Sequence, residues 1–269
     1  MRIGCFLVFV MSVVGTLRAI CRYPVKSMRG QALDSAFVGY SGMYGDRIYA
    51  FKTPEGPAFF PYFTGRNERQ MLLYTPRFRY PDQAHQPCGW PEAEAYSIGV
   101  TPVYGGENEL AVDVETPTGQ IFAIDDPALA AQLAGDGQAL SLCRSDRAMT
   151  DGRPLSLISS QTVQQLSDET QKPVDPRRFR ANLQVEWSQA AGFYEDQLIG
   201  RQLKLGDRVI VALVERDPRC EMITFDPDTG EADPALLKCV TTRHERRAGV
   251  YAAVLVEGMV KVGDSVELT

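Results

Sequence analysis

Short runs of strand-forming residues, separated by turns rich in Gly, Pro and Asp, follow one another along most of this chain. The clearest runs in the first half are rich in Val, Tyr, Phe and Leu, the composition that favours strands. They are Ala32–Tyr40, Asp46–Lys52, Met71–Arg79 and Leu110–Glu115. Helix signals are fewer: Asp126-Pro127 to Gly135, Gln161–Thr170 with Ser160 as cap, and a start at Asp233-Pro234. The pattern predicts a mainly β protein with a few short helices.

A repeated motif in the second half narrows the fold further. Leu203–Val209 and Val260–Val266 share the pattern apolar-x-apolar-Gly-Asp-x-apolar, which predicts two hairpins with tight Gly-Asp turns. Further strands are expected at Arg180–Trp187, Val209–Glu215 and Val250–Val256. Closure of so many short strands into a barrel removes exposed sheet edges, so we expect a closed, mostly antiparallel barrel.

The amino terminus allows two interpretations. Ile3–Val14 is an apolar run after Arg2, similar to the start of a signal peptide but short for a membrane span. A strand pattern begins by Val13, and Met11 offers an alternative start. We therefore expect residues 1–10 to be either a mis-assigned extension or a targeting segment. A cytoplasmic protein without membrane contact is the first expectation, and a signal or anchor is the alternative.

Composition excludes several kinds of function. The chain of 269 residues has 28 Lys and Arg against 34 Asp and Glu, so its net charge of −6 argues against nucleic acid as a partner. Two histidines are too few for a His-rich zinc site. Six cysteines without a C-x-x-C pair argue against iron–sulfur and thioredoxin-like sites, and they fit a reducing compartment.

Three basic motifs could bind an anion. Tyr23–Gly30 places Lys26 and Ser27 directly after a proline. Gly45-Asp46-Arg47 is the second motif. By composition alone a solvated basic turn explains the first motif better than an anion site does, and the second is common as plain hairpin chemistry. In the third, strand alternation would put Arg178, Arg180 and Asn182 on one face, an array suited to phosphate or a polar heterocycle. A salt-bridged edge strand is the alternative for this last motif.

One cysteine differs from the rest. Cys220 follows Arg219 at the end of an apolar strand, and a cationic neighbour favours the thiolate form that binds metals or transfers sulfur.

The three basic motifs and Arg219-Cys220 occur along the chain together with Glu195–Gly200 and Asp226-Pro-Asp-Thr-Gly. In their order, these motifs resemble the MOSC family, the molybdenum-cofactor sulfurase C-terminal domain. The resemblance runs from about Val14 to Leu268, and its two-domain type is similar to the mitochondrial amidoxime-reducing component and its bacterial counterparts. It implies two β-barrel-like domains, an amino-terminal one at 11–140 and a MOSC-type barrel at 141–269. The sequence contains no large domain of the pyridoxal-phosphate sulfurase kind.

The resemblance also implies a molybdopterin-type cofactor whose molybdenum is bound by Cys220. The other residues that would hold it are Lys26, Ser27, Arg47, Ser159, Ser160, Arg178, Arg180, Asn182 and Arg219. The implied activity is reduction of a small N-hydroxylated substrate, with electrons from a separate flavin or iron–sulfur reductase. The alternative is a carrier that holds persulfide sulfur on Cys220, or holds the cofactor, for delivery elsewhere.

Overall fold

The computed structural model describes residues 12–54, 56–96, 98, 106, 108–135 and 139–269. The predicted extension at residues 1–10 lies outside this range. None of the described helices has the length and apolar character needed to cross a membrane.

Strands dominate the described residues, as predicted. The strands are β1 (Ser12–Arg22), β2 (Gln31–Leu33), β3 (Ser35–Gly39), β4 (Gly42–Met43), β5 (Tyr49–Lys52), β6 (Tyr62–Phe63), β7 (Thr75–Phe78), β8 (Val112–Glu115), β9 (Ile121–Ala123), β10 (Ser141–Arg144), β11 (Leu155–Ser159), β12 (Leu183–Trp187), β13 (Gln202–Leu205), β14 (Val209–Pro218), β15 (Arg247–Val256), β16 (Gly258–Lys261) and β17 (Ser265–Leu268). The α-helices are α1 (Trp90–Ala95), α2 (Pro127–Ala134), α3 (Ser160–Thr170), α4 (Tyr194–Gln197) and α5 (Ala235–Arg243). Short 3-10 helices cover Arg69–Leu73, Pro176–Phe179 and Glu221–Thr224.

Seven strands close into a barrel, which confirms the predicted fold. Their order is β12-β11-β15-β14-β13-β17-β1, and β1 pairs again with β12 to complete the ring. Within the ring β11 and β12 run parallel, whereas the other neighbours are antiparallel. Strand β2 adds to β1 outside the ring. The barrel encloses a core of fully buried aliphatic side chains, among them Leu17, Val185, Leu203 and Val211.

The strand that closes the barrel comes from the beginning of the described chain. Ser12 pairs with Leu268 and Leu17 with Val185, so β1 lies between β17 and β12. Gly15 allows a close approach here, since a Cβ atom at this position would lie 2.7 Å from the carbonyl oxygen of Glu186. The division at 11–140 and 141–269 stays a prediction, and β1 belongs to the barrel rather than to the sheets that follow it.

The remaining strands form three sheets of three strands each: β10-β5-β6, β16-β3-β4 and β7-β8-β9. They surround a second core rich in aromatic residues, including Phe37, Tyr44 and Trp90. One predicted hairpin is wrong. The first Gly-Asp turn joins the paired strands β13 and β14, but β16 pairs with β3 and not with β17. The second turn therefore passes the chain from a small sheet into the barrel.

The predicted helices are present with small shifts in their starts. Asp126 caps α2 by accepting from the backbone N–H of Ala128, and Gly135 ends it. Helix α3 starts one residue early, because the hydroxyl of Ser159, and not that of Ser160, accepts from the N–H of Thr162. Within the expected strand Met71–Arg79, Met71 belongs to a 3-10 helix.

Candidate functional site

A cationic pocket lies where β14 ends, between the barrel and the loops of the aromatic core. We call it the inner pocket; its empty volume is about 710 Å³, part of it open to solvent. It is lined by seven of the ten predicted site residues: Lys26, Ser27, Arg47, Arg178, Arg180, Arg219 and Cys220. With Arg66, six basic side chains face two carboxylates, those of Asp151 and Asp217. In a protein of net charge −6, this is a local reversal of sign that favours an anionic ligand.

Two guanidinium groups, those of Arg47 and Arg180, lie close to the ring of Tyr23. The Cζ atoms of Arg47 and Arg180 lie 4.4 Å and 4.2 Å from its ring centroid. Asp46, fully buried, fixes this arrangement: it accepts from the Nη1 of Arg47 at 2.6 Å and from the N–H of Tyr23 at 2.8 Å. Both arginines have left-handed backbone, with φ of 45° and 52°. The Gly45-Asp46-Arg47 motif is thus an orienting device for the pocket.

Arg180 carries unused hydrogen-bonding capacity. Within the described residues, its buried Nη2 atom has no hydrogen-bond partner. Burial, with the like charge of Arg47, lowers the pKa of Arg180 to about 10. A buried donor without a partner costs free energy, and an anion in the pocket would supply one.

Lys26 is held at the other side of the pocket. Its Nζ donates to the carbonyl oxygen of Met149 at 2.8 Å and pairs with Asp151. Burial lowers the pKa of Lys26, and Asp151 opposes this effect. The ammonium group also lies 5.2 Å and 5.1 Å from the ring centroids of Phe60 and Tyr62.

Arg178 and Arg219 hold the loops that form the pocket. Arg178 donates to the carbonyl oxygen of Thr224 at 2.7 Å and to Asp226 at 3.0 Å. Arg219 donates to the carbonyl oxygens of Ala248 at 2.7 Å and Phe179 at 2.8 Å. Much of their hydrogen-bonding capacity is therefore used by the protein itself.

Cys220 lies partly exposed between the end of β14 and the 3-10 helix Glu221–Thr224. Three residues before it, Asp217 is buried and pairs with Arg219 at 2.8 Å. Burial raises the pKa of Asp217 to about 6, although Arg219 and the hydroxyl of Tyr251 lower it. Among the described residues, no group of three or more His, Cys, Asp or Glu side chains could hold a metal ion by itself.

Three predicted residues do not line the inner pocket. The Ser159 hydroxyl caps α3, and the Ser160 hydroxyl accepts from Gln184. Asn182 is fully buried, where it accepts from the N–H of Ser156 and donates to the carbonyl oxygen of Cys21. The strand alternation expected for Arg178, Arg180 and Asn182 is absent, because a 3-10 helix ends at Phe179 and Arg180 is left-handed, although all three residues line one neighbouring cavity. Strand alternation does not apply to such backbone.

Asn182 lines a neighbouring cavity instead. This apolar cavity, of about 1100 Å³, shares Arg178, Arg180 and Met222 with the inner pocket. Sequence reasoning missed Asp151 and Asp217 as residues of the inner pocket. Asp217 lies three residues before Cys220, whereas no local pattern marks Asp151.

Comparison with known proteins identifies the second half of the chain. The sequence model of the MOSC domain family matches residues 144–267. These residues are a MOSC domain. The match includes the barrel strands β11 to β15 and β17, together with Cys220, and leaves out β1.

Solved structures with a similar chain path include three bacterial proteins. The YuaD protein from Bacillus subtilis is 13% identical, with 96% of this chain and 98% of that chain covered and a TM-score of 0.48. YiiM from Geobacillus stearothermophilus is 20% identical, covering 43% of this chain and 54% of that one, with a TM-score of 0.34. YiiM from Escherichia coli is 16% identical, covering 44% and 54%, with a TM-score of 0.32. A search of curated proteins gave no significant match.

Proposed function

We propose that the chain binds a molybdenum cofactor of the molybdopterin type in the inner pocket and reduces N-hydroxylated substrates. The observation that carries this proposal is the buried Nη2 of Arg180, without a hydrogen-bond partner among the described residues, in a pocket that ends at the Cys220 thiol. An anionic phosphate suits the guanidinium groups, and a thiolate is a soft ligand for molybdenum.

The residues present fit this cofactor. Arg180 would bind its phosphate, since a planar guanidinium fork can donate two parallel hydrogen bonds to phosphate oxygens. Arg47, whose Nη1 and Nη2 donate to Asp46 and to the carbonyl oxygen of Arg180, would add positive charge beside it. Lys26 and Ser27 line the same space, and Arg178 and Arg219 keep its loops in place. Cys220 would hold the metal. When bound, the cofactor supplies a two-electron centre able to take oxygen from the substrate.

Reduction of a hydroxylamine or amidoxime to the amine or amidine consumes two electrons and two protons and releases water. The sequence has no G-x-G-x-x-G motif and no C-x-x-C pair that would suggest its own nucleotide or iron–sulfur centre. We therefore assign electron supply to a separate flavin or iron–sulfur reductase. The scattered cysteines fit a location in the cytoplasm.

The test begins with anaerobic purification and measurement of molybdenum and pterin. We expect stoichiometric cofactor, turnover of benzamidoxime with reduced methyl viologen, and no turnover with NADH alone. Cys220→Ala should remain folded and lose both metal and turnover. Cys88→Ala is the matched control, because Cys88 is exposed and lies outside the pocket. Full molybdenum content and turnover in Cys220→Ala would contradict the proposal.

A carrier function is the second candidate, because Cys220 is partly exposed and therefore accessible to a sulfur acceptor. In that case the purified protein would lack molybdenum and carry cyanide-labile sulfur. The sulfur would be lost in Cys220→Ala and retained in Cys88→Ala.

A further inference from the structure

A second open space lies on the other side of Cys220. This outer cleft has an empty volume of about 1700 Å³, and its walls include Phe59, Phe60, Tyr62, Arg66 and Arg246. Six residues line both the cleft and the inner pocket: Phe60, Arg66, Asp151, Pro218, Arg219 and Cys220. Any group held at Cys220 therefore borders on the cleft, and a substrate would reach it from there.

One wall of the cleft is aromatic. The ring of Phe60 packs edge-on against Tyr62, with centroids 5.3 Å apart and planes at 88°. Phe59, next in the chain, is 90% exposed and faces solvent with its apolar surface. A single exposed Phe is ordinary, but three aromatic residues lining one open cleft form a surface on which a planar ring can stack.

The same cleft carries two exposed arginines. The Cζ of Arg66 lies 4.8 Å from the ring centroid of Phe60. The Nε of Arg246 donates to the carbonyl oxygen of Arg219 at 2.8 Å, while the N–H of Arg219 donates back to the carbonyl of Arg246. This pair of bonds fixes Arg246 beside Cys220 and leaves its two terminal Nη groups as donors toward the cleft.

Carboxylates near these arginines are paired with other cations. Asp151 pairs with Lys26, Asp217 with Arg219, and Glu245 with Arg216. Burial raises the pKa of Asp151, but Lys26, followed by Arg47 and Arg66, lowers it below its usual value, so Arg66 is close enough to act on this carboxylate. The cleft thus combines an aromatic wall with positive charge that the neighbouring carboxylates do not neutralise.

We propose that the outer cleft selects planar aromatic substrates that carry a carboxylate, with the ring stacked on Phe59 and Phe60 and the acid paired with Arg66 and Arg246. The inference rests on the proposed function for the reaction, because an N-hydroxylated group would have to reach Cys220. Recognition of the ring and the acid rests on the cleft alone, so binding can be tested apart from turnover.

The experiment compares two ligands that differ by one charge, 4-carboxybenzamidoxime and benzamidoxime. Their dissociation constants are measured by calorimetry on the full chain as purified. We expect the carboxylate to bind about tenfold more tightly at low salt, since two exposed ion pairs would each contribute about threefold. The preference should shrink in 0.5 M NaCl, where screening is strong.

Variants assign the preference to residues. Arg246→Gln and Arg66→Gln are each expected to reduce the carboxylate preference about threefold, and the double variant should nearly abolish it. Phe59→Ala should weaken both ligands to a similar degree, because the two share the ring. Arg201→Gln is the matched control: Arg201 is exposed and lies outside the cleft. If Arg66→Gln does not fold, Arg246→Gln and the salt dependence still test whether the arginines cause the carboxylate preference.

Equal affinity for the two ligands, or a preference unchanged in both arginine variants, would overturn the inference. The two proposals fail in different ways. Arginine-dependent binding without turnover by the molybdenum-loaded protein would preserve the cleft assignment and contradict the proposed function. Turnover without any preference for the carboxylate ligand would support the proposed function and contradict the cleft assignment.

Discussion

Replacing Arg180 by glutamine should stabilise the ligand-free protein while weakening its hold on anions. Burial lowers the pKa of Arg180 from its usual value to about 10, a decrease of roughly two pH units or slightly more. Each pH unit corresponds to about 1.4 kcal/mol, so the folded state loses about 3 kcal/mol by keeping this group charged. The side chain is partly exposed by area, and its contact with the Tyr23 ring is worth about 1 kcal/mol. The net gain expected on removal of the charge is about 1 to 2 kcal/mol.

The sign of the pH dependence follows from the lowered pKa. The destabilisation is fully present below pH 10 and disappears only as the pH rises past the usual pKa of an arginine. At pH 7.5 the melting temperature of ligand-free Arg180→Gln should therefore exceed that of the wild type by about 2 to 6 °C. In 50 mM phosphate the order should reverse or the gap should close, because anion binding stabilises the wild type more.

Two further variants sharpen this test. Arg180→Lys keeps the charge but loses the planar fork, so it should gain no stability and should still bind phosphate weakly. Arg201→Gln, exposed and outside the pocket, should match the wild type with and without phosphate. A ligand-free Arg180→Gln that melts lower than the wild type, with an unchanged response to phosphate, would show that Arg180 serves the fold and not an anion.

Three other predictions concern the barrel and the helices around it. Glu195 is fully buried and accepts hydrogen bonds from the Ser159 N–H, the Thr162 hydroxyl and the Trp187 indole. In urea unfolding, Glu195→Ala should therefore lower the free energy of unfolding by about 3 kcal/mol. The control Glu186→Ala, at an exposed position, should lower it by less than about 0.5 kcal/mol. Burial alone would raise the pKa of Glu169, but hydrogen bonds from Gln165 and His244 lower it below 4.5. The stability that the hydrogen-bonded carboxylate contributes is present at higher pH and is lost as the pH falls through the lowered pKa. Glu169→Gln should therefore flatten the acid side of a plot of urea midpoint against pH. A protein starting at Met11 should melt like the full chain and bind phosphate, whereas one starting at Tyr23 lacks β1 and should show no cooperative melting by circular dichroism; equal melting of the two would refute the role given to β1.

Local chemistry explains which elements the sequence predicts well. The residues that cap the two ends of α2 lie next to it in the sequence. Asp126 accepts from the backbone N–H of Ala128, two residues away, and Gly135 directly follows the last residue of the helix. The turn at Gly206 likewise joins neighbouring strands. Pairing between distant segments leaves no such local mark. The alternation in Val13–Cys21 predicts a strand, but its partners β12 and β17 lie far along the chain.

The same distinction between local motifs and long-range pairing applies to the residues of the candidate site. Charge and turn motifs mark Lys26, Arg47, Arg180 and Cys220, and folding brings all four to one pocket. The prediction that Asn182 binds the same anion as Arg180 depends on a regular strand through Arg180, and the left-handed backbone of Arg180 interrupts such a strand. Asp151 pairs with Lys26 across the chain, so its place in the pocket depends on tertiary structure alone.

The position of β1 also determines when the molecule can finish folding during synthesis. The strand is made first among the described residues, yet one of its partners, β17, ends at Leu268. The ring cannot close until β17 has left the ribosome, and until then β1 has an unpaired edge open to other chains. Since Ser12 and Leu268 are paired neighbours, a short linker could join them and new ends could be opened in an exposed loop. In such a circular permutant β1 would follow β17 directly, and we expect closure to become a local and faster event.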